Sequence, residues 1–239
     1  MTPDSYALEA LTWPEAGRLL ARDSRLLFPV GALEQHGPHL PLGANTFLAE
    51  AVARRVSNEL GILRAPTFAY GVTVGGRARY AATSSLRRKT LHRAVNELLA
   101  SWEDHGVSEI VVITAHRYEP HLDALLMALT SRSRTTVIDL YAVELDDDLL
   151  TGEPELEHAG ELETSVMLHL APERVRRDQM ADFAPVASDA RRYVRQRMPT
   201  APGGSQGVLG YPTRATPEKG RAVFERWVGA VLALLDRKE

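Results

Sequence analysis

Glu34, His36 and His39 stand close together in the stretch Gly31-Ala-Leu-Glu-Gln-His-Gly-Pro-His-Leu-Pro-Leu-Gly43, where glycines and prolines stiffen the chain around them. Carboxylate oxygen and imidazole nitrogen are the ligand types of zinc, manganese and iron. Glu34 and His36 are two residues apart, so in an extended segment they point the same way. His116 follows the apolar run Ile110-Val-Val-Ile-Thr-Ala115, and Glu161 lies three residues after His158, one turn on if a helix has already begun there. The four together make a nitrogen and oxygen set for one of those metals. Taken singly they have plainer readings: His36 or His39 as a loop residue satisfied by backbone, and Glu163-Thr164-Ser165 as a helix start. His92, His105, Glu119 and His121 read as surface or capping groups.

The elements that must carry these residues alternate. Trp13-Pro14-Glu15 opens a helix that ends before Asp23. Leu26 to Val30 reads as a strand buried on both faces. Asn45 looks like a helix cap, and Phe47, Leu48, Ala51, Val52, Val56 and Leu60 mark the helix that Gly61 stops. Ile62 to Phe68 predicts a second strand, interrupted by Pro66. Thr90 reads as the cap of a helix over Leu91, Val95, Leu98, Leu99 and Trp102. Glu109 to Thr114 is a third strand, Leu122 to Leu129 a helix, and Thr135 to Leu140 a fourth strand. The helix opened at His158 runs through Leu170, and the last runs from Pro217 past Trp227 to Leu235. This alternation predicts an α/β fold, a single domain over residues 1–239 built on a mostly parallel, doubly wound, Rossmann-like sheet. Ligands of such sheets sit at the carboxyl ends of the strands, where both His-bearing loops fall.

Composition narrows the function. The 239 residues carry a net charge of -3, from 28 basic and 31 acidic side chains, which gives no electrostatic reason to expect nucleic acid or an anionic membrane. There are no cysteines, which excludes thiolate zinc and a cysteine nucleophile. No apolar run reaches membrane-spanning length and no basic-then-apolar leader opens the chain, so a cytoplasmic location is the default expectation. The Arg191 to Arg197 cluster reads as a solvated helix face. Ser84-Ser85 has no nucleophile elbow around it, and Gly71 to Gly76 lacks the strand, loop and helix context of a phosphate cradle.

The motifs together resemble the creatininase family of metal-dependent amidohydrolases. The resemblance rests on Pro29-Val30-Gly31 with Glu34-Gln35-His36-Gly37-Pro38-His39-Leu40-Pro41-Leu42, the His116 loop, His158-Ala159-Gly160-Glu161-x-Glu163-Thr164-Ser165, and Gly207-Val208-Leu209-Gly210-x-Pro212-Thr213. The last segment is similar to that of the creatininase-like peptidases of mycofactocin systems. The resemblance implies a ring-shaped homo-oligomer, often a hexamer, and two divalent metals. It makes Glu34, His36, His116 and Glu161 ligands, and His158 the proton donor and acceptor.

This chain departs from the family pattern in three places. Asn45 stands where the family has a metal-bridging Asp, and a neutral amide compensates cations poorly, so one tight divalent metal (zinc, manganese or iron), alone or with a weakly held second, is expected. The His loop reads His116-Arg117-Tyr118-Glu119; Arg117 and Tyr118 fill space that glycines leave open, which makes these three candidates for substrate binding, with Glu119 ranked below Glu161 as a ligand. The segment from Tyr70 to Thr83 also differs, so the substrate pocket must differ. The expected activity is metal-dependent hydrolysis of a C-N bond in a cyclic or linear amide or a short peptide. The alternative is a descendant that keeps the fold and has lost hydrolysis, as a binding or scaffold subunit, or runs another reaction at the site.

Overall fold

A computed structural model describes residues 5–73, 80–128, 132–152, 157–184 and 202–236. Four parallel strands, β1 (Arg25–Val30), β2 (Leu63–Arg64), β3 (Glu109–Thr114) and β4 (Arg134–Asp139), lie in the order β2-β1-β3-β4. The helices are α1 (Trp13–Arg22), α2 (Ala44–Leu60), α3 (Arg88–Asp104), α4 (Glu119–Leu126), α5 (Glu161–Leu170) and α6 (Pro217–Leu235). Strand periodicity sorts the core into two layers. Leu27, Val111 and Ile113 face the layer of α2, α5 and α6, while Leu26, Phe28, Val30, Ile110 and Val112 face that of α3 and α4. The sheet is therefore covered on both sides, which is the doubly wound arrangement. No described helix is long and apolar enough to cross a membrane.

β1 and β3 run in register from Arg25 opposite Glu109 to Val30 opposite Thr114, so the loops carrying Glu34, His36 and His116 leave the sheet side by side. Gly31 lets the first of these loops turn against α2: a Cβ there would lie 2.3 Å from Thr46 Oγ1 and 2.4 Å from Thr46 Cα. α5 and α6 press together where a Cβ on Gly220 would meet Ser165 O at 1.9 Å.

Several boundaries differ from the sequence reading. α2 starts at Ala44, so Asn45 sits inside its first turn rather than capping it. α3 starts at Arg88 and likewise takes in Thr90. β2 shrinks to two residues, with a lone bridge from Val30 to Phe68 beyond, because Pro66 cannot donate to the ladder. α4 ends at Leu126; Leu129, Gly75 to Arg79 and the Arg191 to Arg197 cluster lie outside the described residues. α5 begins only at Glu161, so His158 precedes the helix and the one-turn spacing to Glu161 does not apply.

Because α5 is held by that close approach, Gly220→Ala is expected to cost about 1–3 kcal/mol of stability by overpacking. Urea unfolding measures it, and an unchanged midpoint would show that the contact is slack.

Candidate metal centre

The loop after β1 supplies Glu34 and His36, the first turn of α2 supplies Asn45, and the loop after β3 supplies His116. His158 enters on the segment before α5, fixed by paired backbone hydrogen bonds with Leu209 at 2.9 and 2.8 Å. Glu163 comes from the first turn of α5, and Tyr141 from the 3-10 turn Leu140–Ala142 after β4. All of these but His36, which lies behind Asn45 and Glu163, line a cavity of about 30 Å³, enough for an ion or a water, whose wall also includes Arg117, Tyr118 and Glu157.

Following each proton shows what the cluster lacks. His36 Nδ1 lies 2.9 Å from Glu34 O. A carbonyl only accepts, so that nitrogen bears hydrogen and, in a neutral ring, Nε2 bears a lone pair. Nε2 nevertheless faces Asn45 Oδ1 at 3.0 Å and Glu163 Oε1 at 3.4 Å, both acceptors. On the other side, His116 Nε2 donates to Val72 O at 2.8 Å, leaving the Nδ1 lone pair toward Asn45 Nδ2 at 3.0 Å and Glu34 Oε2 at 3.3 Å. Glu34 Oε2 is buried and has no hydrogen-bond partner.

The Asn45 amide can serve only one of the two rings. If it is turned over, its NH2 group satisfies His36 and its oxygen faces His116 instead. In either orientation at least one imidazole lone pair is left facing only oxygen and requires a cation, and His116 Nδ1 faces Glu34 Oε2 in both. Two carboxylates, Glu34 and Glu163, match the charge of one divalent ion. Atoms of Glu34, His36 and His158 lie within 4.8 Å of one another, a group that could hold a metal, with Glu163 Oε1 3.4 Å from His36 Nε2 beside it.

Without metal, a proton fills the gap. Burial alone would lower the His36 pKa, but Glu163 and then Glu34 raise it to about 9. Burial works against the Glu163 carboxylate, yet His36, then His158 and the Tyr141 hydroxyl, hold its pKa far below the usual range. Glu163 also accepts from the Tyr141 hydroxyl and from Ala159 N. His158 is lowered chiefly by burial, and its Nε2 lies 2.8 Å from Gln35 O, an acceptor, and 3.0 Å from Gln35 Nε2, a donor, so Gln35 can hold either tautomer of the neutral ring. Burial raises the Glu157 carboxyl to about 7.

The candidates do not all meet. Glu161 is fully buried but turned away: it pairs with Lys219 and accepts from Thr151 N at 2.8 Å. Glu163 occupies the place expected of it, because two residues on a helix face nearly opposite ways. Glu119 opens α4 exposed and does not line the cavity, whereas Arg117 and Tyr118 do. His39 is structural, bonded to Thr164 Oγ1 at 3.0 Å and lowered to about 4, chiefly by burial. His121, expected at the surface, is wholly buried. Sequence reasoning missed Tyr141, whose position just past the end of β4 is the signal that could have found it.

Two outcomes follow. His36 rises from its ordinary 6.5 to about 9 on folding, so its contribution to metal-free stability is full below pH 6.5 and is lost as pH rises through 9. Zinc replaces that proton, so the gain in Tm on adding zinc should grow across the same window; a gain independent of pH would show that His36 is not the competing group. Asn45→Asp removes the amide hydrogens and should raise zinc stoichiometry from about one to about two per chain in calorimetric titration; an unchanged titration would place Asn45 outside the centre.

Comparison with known proteins places the chain in a family. The Creatininase family profile, described as creatinine amidohydrolase, matches residues 9–235. The chain is 30% identical to the creatinine amidohydrolase of Pseudomonas putida, over 90% of each chain. It is 31% identical to the mycofactocin precursor peptide peptidase of Mycobacterium ulcerans (strain Agy99), covering 95% of this chain and 86% of the relative. Among solved structures, a mutant creatininase of zinc-zinc type superposes with a TM-score of 0.80 at 26% identity over 97% of both chains, and a manganese creatininase gives the same values. Sequence and fold thus agree, and the chain belongs to the creatininase family.

Proposed function

We propose that this protein is a metal-dependent hydrolase acting on a C-N bond in a cyclic amide, a linear amide or a short peptide. The observation that carries this reading is the convergence of His36 Nε2, the Asn45 amide and Glu163 on a point that needs a cation, with neutral His158 beside it. Glu34, His36, Asn45 and Glu163 would hold the ion, with His116 bonded to Asn45; zinc, manganese or iron suits this donor set. The zinc and manganese forms of the related structures support a divalent ion. When bound, the ion supplies Lewis acidity and a water of lowered pKa.

The chain's own groups account for the rest. Gln35, through its backbone O at 2.8 Å and its amide nitrogen at 3.0 Å, holds His158 Nε2, and the neutral imidazole so positioned would take a proton and return it to the leaving nitrogen. Tyr141 fixes Glu163 through its hydroxyl. Arg117, its guanidinium carbon 5.0 Å from the centre of the Tyr141 ring, and Tyr118 form the wall that substrate would meet. Asn45 supports a second reading, a family member with one ion and no hydrolysis, because its amide caps one of the two imidazoles. A single domain, a cytoplasmic location and a homo-oligomer such as a hexamer complete the proposal.

The test is turnover of a panel of cyclic amides, linear amides and short peptides by zinc- or manganese-loaded protein. Activity should vanish with chelator and return with metal; chelator-resistant hydrolysis, or none on any substrate, would defeat the reading. His158→Ala should lower kcat by roughly 10²–10⁴-fold with metal content unchanged. Loss of metal in that variant would reassign His158 as a ligand.

A further inference from the structure

His121 is wholly buried beside the centre, its ring 4.7 Å from that of His116, yet it reaches neither the carboxylates nor Asn45 through any described hydrogen bond. Its own bonds can be assigned without ambiguity. Val72 N lies 3.3 Å from His121 Nδ1, and a backbone N–H only donates, so Nδ1 carries the lone pair. Nε2 therefore carries the hydrogen and donates to Thr114 Oγ1 at 3.1 Å. The same hydroxyl oxygen accepts from His116 N at 3.3 Å. Burial, then His116, lowers the His121 pKa well below the ordinary value, which agrees with a ring that is a neutral strut.

The other side of the Val72 residue faces the centre: its carbonyl accepts from His116 Nε2 at 2.8 Å. His121 thus grips the N–H of the residue whose C=O fixes the tautomer of His116. The approach is close enough to require Gly71, where a Cβ would lie 2.7 Å from His121 Nδ1 and 2.8 Å from Gly31 O. With its proton on Nε2, His116 presents a lone pair at Nδ1 to the Asn45 amide hydrogens, and the amide oxygen is turned to His36. With the proton on Nδ1 instead, His116 would donate to Glu34 Oε2, 3.3 Å away, or to an amide turned to present its oxygen, and in that turned amide the NH2 group would face His36 and block the cation.

We infer that His121 is a positioning residue which, through the backbone of Val72, sets the tautomer of His116 and with it the orientation of Asn45 that leaves the cation position open. The inference rests on the reading of His36 and Asn45 as a metal centre only in its effect on metal. The tautomer itself is a property of the metal-free protein.

The two amide side chains separate this from a packing role. Asn places an acceptor oxygen near the position of an imidazole Nδ1, and Gln places a donor near that of Nε2. His121→Asn can therefore keep the Val72 bond and lose that to Thr114, while His121→Gln does the reverse. Nitrogen-15 spectra of wild type should show His116 protonated on Nε2 alone, and His121→Asn should keep that pattern while His121→Gln loses it. Zinc affinity should stay within about threefold in the Asn variant and fall roughly 10–100-fold in the Gln variant. Equal effects of the two variants, or an unchanged His116 in His121→Gln, would overturn the inference. So would a wild-type His116 protonated on Nδ1, which needs no variant to fold. Wild-type protein that binds no zinc would defeat the metal reading and leave the tautomer result to decide the role of His121.

Discussion

One hydrogen bond governs this site. His36 gives its Nδ1 proton to the carbonyl two residues before it, and that leaves Nε2 aimed at oxygen. A buried imidazole lone pair facing an amide oxygen and a carboxylate is repulsive unless a cation lies between them. The ring cannot turn away, because it is wholly buried in the loop that Gly31 presses onto α2. The proton retained up to about pH 9 and the divalent ion are two answers to the same demand.

The rest of the structure can be understood as holding that demand in place. The parallel register of β1 and β3 brings the two His loops together, and the close packing of α5 on α6 holds the helix that brings Glu163 to them. Glu163 is itself held by the Tyr141 hydroxyl and Ala159 N, so it can remain charged without solvent. A site assembled from five separate segments on a rigid sheet is what positions groups to the tolerance that catalysis needs.

Much of this was legible in the sequence. The strands at Leu26 to Val30 and Glu109 to Thr114 are continuous apolar runs, and their alternation with amphipathic helices fixes the fold class. Glu34, His36 and His116 stand out because they leave those strands at one edge. What was not legible depends on helix phase and on burial. Whether Glu161 or Glu163 faces the centre turns on where α5 starts, and the start lies three residues later than the pattern beginning at His158 suggested. His121 looked like a surface group because it follows a loop, while its burial comes from the segment around Gly71 folding over it, a contact between residues far apart in sequence. Asn45 was visible as a departure from the family, but its consequence, one imidazole capped and one left open, needed the positions of both rings.

The central claim is that one cation belongs between His36 and Glu163. Anomalous scattering from crystals of the zinc-loaded protein tests it most directly. The account predicts one peak per chain in contact with both side chains and none beside Glu161. A peak that touches neither His36 nor Glu163, or a map with no peak in protein that has taken up zinc, would contradict it.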